Sequence, residues 1–218
     1  MNRIYKGALT ALAVGLLMAV AAGAAQATPA FTAGAYPATA EGASLDMVIG
    51  TEGGPMECES TSFDGTLNGA SSTLVLRPFY SRCVIWGGFI SYTINNQECN
   101  YVLHATEKQG ADQYGAHFGI SCPAGGILWS AGTCTVEFPP QEGLTTVQVD
   151  DDTGAPNRIT PAFEVTGLKY NVTKDGFACP FKGTGTKTDG TITSGAFSLK
   201  AVNPSKTTEE RGLTVSGE

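Results

Sequence analysis

The chain is poor in the groups that most enzymes need. It has two histidines and 33 Asp, Glu, Lys and Arg residues, only 15% of its 218 positions. It contains no G-x-S-x-G elbow, no H-E-x-x-H, no phosphate loop and no dinucleotide fingerprint. Neither histidine lies in a motif that would set a serine or cysteine nucleophile beside it. Basic residues are scarce and form no cluster, which argues against nucleic acid as a partner, because phosphate binding needs a concentrated positive surface. Apart from one run near the start, there is no long apolar stretch, so a chain cleaved after that run is expected to carry no membrane anchor.

That first run reads as an export signal. Arg3 and Lys6 precede an apolar stretch from Gly7 to Ala22 of about 16 residues, short of the roughly 20 that span a bilayer. Ala25-Gln26-Ala27 fits the small-residue cleavage rule, so residues 1–27 are expected to be removed after Ala27 and the remainder secreted. Cleavage takes Arg3 and Lys6 with it. The 13 basic residues become 11 against 20 acidic ones, a net charge of −9, which supports solubility.

The six cysteines, Cys58, Cys83, Cys99, Cys122, Cys134 and Cys179, all follow that signal. An even number in an exported chain predicts three disulfides. No close C-x-x-C pair suggests a metal instead. Residues 28–43, rich in Ala, Thr, Gly and Pro, read as a flexible leader. From Ser44 to Asn203, short runs of Val, Ile, Thr, Phe and Tyr alternate with Gly, Asn, Asp and Pro clusters. No segment keeps a helical repeat. This rhythm predicts one all-β domain of about ten strands, an antiparallel β-sandwich of immunoglobulin-like or jelly-roll-like type. Residues 204–218 form a polar tail in which Leu213 and Val215 suggest a last edge strand.

Local patterns sharpen the reading. Pairing Cys99 with Cys122 in an antiparallel hairpin places Tyr101 opposite Ile120, Leu103 opposite Phe118 and Ala105 opposite Ala116. One face is then wholly apolar, and a one-residue slip would destroy it. The register continues to Thr106 opposite Gly115, and its other face sets His104 against His117. Apolar residues change phase between Ile159–Val165 and Leu168–Val172, predicting a bulge at Thr166-Gly167. Cys58–Cys83 and Cys134–Cys179 are the favoured remaining bridges, although alternation around Cys58 and Cys83 does not show a simple hairpin. Cys134, Val136 and Phe138 share one face of a strand that Pro139-Pro140 ends.

Four features carry candidate chemistry. His104 and His117 could hold zinc if Glu107 or Asp112 supplied a further ligand, and otherwise form an exposed cross-strand pair. Asp150, Asp151 and Asp152 could bind calcium, or form a solvated acidic turn. Trp86 and Trp129 could stack on sugar rings or fill the core. Trp86, beside Gly87-Gly88, is the better candidate for exposure. Asn171-Val-Thr173 matches a glycosylation acceptor inside a predicted strand. No cofactor is required by any motif, with calcium and zinc left open.

Cys99-Asn-Tyr-Val-Leu103, Ile120-Ser-Cys-Pro-Ala-Gly-Gly126, Gly132-Thr-Cys-Thr-Val136 leading to Pro139-Pro140-Gln141, and Val165-Thr-Gly-Leu-Lys-Tyr170 together carry a resemblance. With them, residues 58–200 resemble a group of secreted, six-cysteine, β-rich proteins of high-GC Gram-positive bacteria. The resemblance implies export, the cysteine framework and β structure, and transfers no catalytic residue. The expected function is a non-enzymatic extracellular or cell-envelope protein, structural or binding a glycan or a cell-surface protein. The alternative is a secreted, glycosidase-like hydrolase with two convergent carboxylates.

Overall fold

The computed structural model describes residues 28–217 except Leu45, Trp86, Ala155, Phe177 and Ala178. The signal segment 1–27 and Trp86 therefore lie outside the described residues. The described chain is all-β and antiparallel, stapled by three disulfides. In order its strands are β1 (Ala30–Ala33), β2 (Ala38–Ser44), β3 (Val48–Gly50), β4 (Met56–Leu67), β5 (Thr73–Ile85) and β6 (Ile90–Asn95). Then come β7 (Asn100–Lys108), β8 (Gln113–Ser121), β9 (Ile127–Ala131), β10 (Cys134–Phe138), β11 (Gln141–Asp152) and β12 (Arg158–Ala162). The last are β13 (Glu164–Asp175), β14 (Gly185–Thr193), β15 (Leu199–Asn203), β16 (Lys206–Glu210) and β17 (Leu213–Ser216). Among the described residues no helix is long and apolar enough to cross a membrane.

The layers close on themselves in two hydrogen-bonded circuits of eight strands that share the β4–β5 hairpin. One circuit runs β4-β5-β7-β8-β11-β12-β15-β2 and returns to β4. The other runs β4-β5-β6-β9-β10-β13-β14-β3 and also returns to β4. Closure satisfies the backbone groups that open sheet edges would leave exposed. Each circuit encloses an aromatic cluster: Phe63, Tyr101, Phe118, Phe163 and Phe197 in the first, and Tyr92, Trp129, Phe138, Tyr170 and Phe181 in the second. Tyr80 joins them. Its ring meets Trp129 edge-on, and its hydroxyl lies 2.6 Å from that of Tyr101. Burial pushes the Tyr101 phenol up to about 12 and Tyr80 well above its usual value, so both stay neutral and hydrogen-bonded.

The shared hairpin explains why alternation around Cys58 and Cys83 misleads. Buried positions are even-numbered at Met56 and Cys58 but odd at Thr61, Phe63 and Leu67. In β5 they are Leu74, Leu76 and Pro78, then Cys83 and Ile85. Glu59-Ser60 and Ser81-Arg82 are successive non-buried residues on the two strands. The phase resets on both at once, so the register is unbroken from Met56↔Ile85 to Asp64↔Arg77. Arg82 takes φ 46° there, and Glu59 pairs with it at 3.0 Å. At this level both strands change neighbours. β5 leaves β7 after Leu76 and meets β6 from Cys83, while β4 leaves β3 after Glu57 and meets β2 from Thr61.

The β7–β8 register matches expectation from Asn100↔Ser121 to Ala105↔Ala116. Beyond that it differs: the ladder bulges and Lys108 meets Tyr114, so Thr106 does not face Gly115. The bulge predicted at Thr166-Gly167 is present, with register shifts on either side of Leu168 and Gly167 at φ 72°.

Residues 28–43 differ from the expected flexible leader. They supply β1 and most of β2, with Phe31, Ala38 and Ala40 fully buried. Small side chains are what a closely packed strand needs there, and in sequence they look like a linker. β1 pairs with β17, through Phe31↔Val215 and Ala33↔Leu213. The expected edge strand in the tail is thus the partner of the supposed leader, and the folded unit extends beyond 44–203 in both directions.

Candidate functional site

The three bridges join Cys58 to Cys83, Cys99 to Cys122 and Cys134 to Cys179, with Cα separations of 3.9, 4.1 and 5.0 Å. Among the described residues no cysteine is free, so no thiol nucleophile is present there.

His104 and His117 face each other across β7 and β8, both exposed. His104 Nδ1 lies 3.0 Å from Thr73 Oγ1. Asp112 does not join them. Its carbonyl accepts a 2.7 Å hydrogen bond from the Asp151 backbone N–H, at the far end of the β8–β11 ladder.

Asp150, Asp151 and Asp152 form the last residues of β11, paired with Thr160, Ile159 and Arg158. Successive strand side chains point to opposite faces, and these carboxylates are separately engaged. Asp150 Oδ1 accepts from Gln148 Nε2 at 3.0 Å, and Asp152 Oδ1 from the Gly154 N–H at 3.0 Å. Burial pushes Asp151 up to about 6, helped by the Asp112 charge, opposed by a hydrogen bond from the Val215 backbone, and helped again by Asp152. Among the described residues no group of three His, Cys, Asp or Glu side chains converges as a metal would require.

Trp129 is fully buried between Tyr80, Tyr92 and Phe138, so of the two readings it takes the core one. Asn171 lies in β13, and its Oδ1 accepts from Thr186 Oγ1 at 2.7 Å.

Several adjoining clefts lie where the circuits exchange strands. On the outer side of β5, Val75, Arg77 and Phe79 stand in a row at 40% exposure for Val75 and 44% for Phe79. Among the described residues the large apolar side chains left in water are these two, Tyr36 and, in the turn before β6, Phe89; Val75 and Phe79 are the two that share one strand face. The Arg77 guanidinium carbon sits 5.5 Å from the Phe79 ring centroid, a cation–π contact that holds the ring in place. Pro78 lies between them. It has no N–H to donate, and it occupies the stretch of β5 that pairs with neither β7 nor β6. Asn96 Nδ2 instead donates to the Pro78 carbonyl at 3.0 Å. The gap left by this exchange of partners opens the surface.

Phe79 stands between two clefts. One, of about 450 Å³, includes Glu41, Ser62, Asp64 and Lys200. The other, of about 210 Å³, includes Tyr80, Asn95 and Asn96. Arg77 borders two more, of about 420 and 560 Å³, which share Asn100. The cations here stand beside carboxylates. Lys200 Nζ lies 3.3 Å from Glu41 and 3.4 Å from Glu210, whose carboxyl is held below its usual range first by its hydrogen bond from Arg158. Asp64 is the cross-strand partner of Arg77. The surface offers an aromatic face, amides and paired charges, which suit binding.

Sequence reasoning missed this surface. The available signal was a proline in the middle of the strand-like run Leu74–Tyr80, which marks a strand without a partner on one side.

Comparisons with protein-family models, with curated proteins and with solved structures return no match.

Proposed function

We propose that this is an exported, non-catalytic binding module of the cell exterior, and that it docks its ligand on the Arg77–Phe79 face. The observation that carries the reading is Phe79, an aromatic ring 44% exposed, braced by Arg77 and set between two clefts. Large apolar side chains in such positions commonly mark binding surfaces. Three disulfides and the signal-like residues 1–27 support export. The resemblance of residues 58–200 points to the same compartment. The test is adsorption of the secreted chain to cell envelopes of the organism that makes it. Phe79→Ala should abolish adsorption with an unchanged melting temperature, and equal adsorption by both proteins would sink the docking reading.

One observation favours a second reading, a hydrolase with a carboxylate pair. Asp151, with its pKa raised to about 6 next to Asp112, has the character of a general acid. Turnover of chromogenic glycosides that disappears in Asp151→Asn would support it; no turnover by the wild-type chain ends it.

A further inference from the structure

Resting on the docking reading, we infer that the occupant of the Arg77–Phe79 face is a neutral polysaccharide chain. Sugar rings present apolar C–H faces rimmed by hydroxyls. An exposed aromatic ring with polar groups on either side matches both features. Phe79 supplies the ring, with Ser62 and Asp64 on one side and Asn95 and Asn96 on the other.

Charge argues against an ionic ligand. Lys200 is shared between Glu41 and Glu210, and Arg77 has Asp64 as its cross-strand neighbour, so each cation of the surface stands beside a carboxylate. Charge also argues against a protein partner. Lys, Glu and Asp are depleted in protein interfaces, whereas Glu41, Asp64 and Lys200 border the cleft at Phe79. Shape argues for a chain over a single small molecule. Small-molecule sites envelop most of their ligand. Here four shallow clefts share borders: those of about 450 and 210 Å³ meet at Phe79, those of about 450 and 420 Å³ at Asp64, and those of about 420 and 560 Å³ at Arg77 and Asn100. A flexible polymer can place successive residues in them.

The experiment is affinity electrophoresis of the full secreted chain through gels containing laminarin, galactan or mannan, with heparin as the polyanionic control. Wild-type protein should be retarded by at least one neutral polysaccharide, and added salt should not release it. Phe79→Ala should weaken retardation about tenfold or more, the loss of one stacking contact, while Phe79→Trp keeps it. Retardation by heparin alone, no retardation by any neutral polysaccharide, or equal retardation of Phe79→Ala would each overturn the inference. Treating the cell envelopes separates this failure from that of the docking reading. Phe79-dependent adsorption that survives periodate but is lost to protease identifies a protein partner, overturning the polysaccharide and leaving the docking face intact. Adsorption lost to periodate and kept after protease supports the polysaccharide. Adsorption that ignores Phe79 removes both.

Discussion

The two circuits solve the same closure problem with different materials. The first is built mainly from long ladders and closes through one pair, Ile159↔Leu199: β7 and β8 have nine residues each, β11 has twelve, and β2 pairs with β4 over seven positions. The second contains β3 with three residues, β9 and β10 with five each, and a β3–β4 contact of two residue pairs. It is also where two of the three disulfides lie: Cys58–Cys83 across the shared hairpin, and Cys134–Cys179 tying β10 to the chain beyond β13. Short strands bury little surface per residue ordered, so covalent links that restrict the unfolded chain compensate. Long strands hold themselves by cross-strand pairing. The lesson is that covalent links favour the circuit with the shorter strands, although none spans the single-pair β12–β15 contact that closes the other.

The strongest way to break this contrast is reduction. On the loop-entropy model the bridges closing 23- and 25-residue separations contribute about 3.5 kcal/mol each, and the 45-residue one about 4 kcal/mol. Together these rival the whole stability of a typical domain. Excess thiol should therefore unfold the chain, and an unchanged melting temperature would contradict it. Removing Cys134 and Cys179 together by serine should accelerate amide exchange in β9, β10 and β14 before β7, β8 and β11. Uniform acceleration would erase the distinction between circuits.

Next comes the core of the second circuit. Trp129→Ala should cost about 3–5 kcal/mol, the range for a buried aromatic, because Trp129 touches three other rings. Chemical denaturation measures it, and a loss under about 1 kcal/mol would mean the cluster is loosely packed.

A smaller effect tests how the circuits communicate. Tyr80→Phe removes the hydroxyl that meets Tyr101, leaving a buried phenol without its partner at a cost of about 1–3 kcal/mol. Ring contacts with Trp129 would remain. Unfolding followed by near-ultraviolet dichroism and by tryptophan fluorescence should then separate, where the wild type gives coincident curves. Coincident curves in the variant would show that the hydrogen bond does not couple the cores.

The smallest effect lies at the end of the first circuit. The folded pKa of Asp151, about 6, exceeds the unfolded value of roughly 3.9. The folded state therefore binds more protons between these values, and stability falls as pH rises from about 4 through 6. Asp151→Asn should remove that slope and stabilise the chain by about 1 kcal/mol at pH 7, after allowance for solvent screening, with little effect at pH 4. Equal pH profiles for both proteins would show that Asp151 ionises freely.

Much of the local structure was legible because alternation and cross-strand chemistry are short-range. The apolar face of Tyr101, Leu103, Phe118 and Ile120 specified the β7–β8 register, and the phase change near Gly167 specified a bulge. Cys99–Cys122 followed from that register, whereas Cys58–Cys83 and Cys134–Cys179 were favoured among the remaining arrangements and are formed. Phe31, Ala38 and Ala40 hid two strands, because small and isolated apolar residues have no pattern of their own. The candidate site was the least legible part. Val75, Arg77 and Phe79 alternate with buried Leu74, Leu76 and Pro78 like any half-buried strand. Only the neighbours of β5 reveal that its outer side opens onto clefts.

By itself, the sequence determined the all-β class, the β7–β8 register with its inward face and Cys99–Cys122 bridge, and the bulge near Gly167, since each depends on side chains a few residues apart. Only the tertiary structure decided that the ladder closes twice through one hairpin, that the first strand pairs with the last, and that Phe79 stays in water. Those outcomes depend on which distant strands meet, and on a proline placed where one circuit hands over to the other.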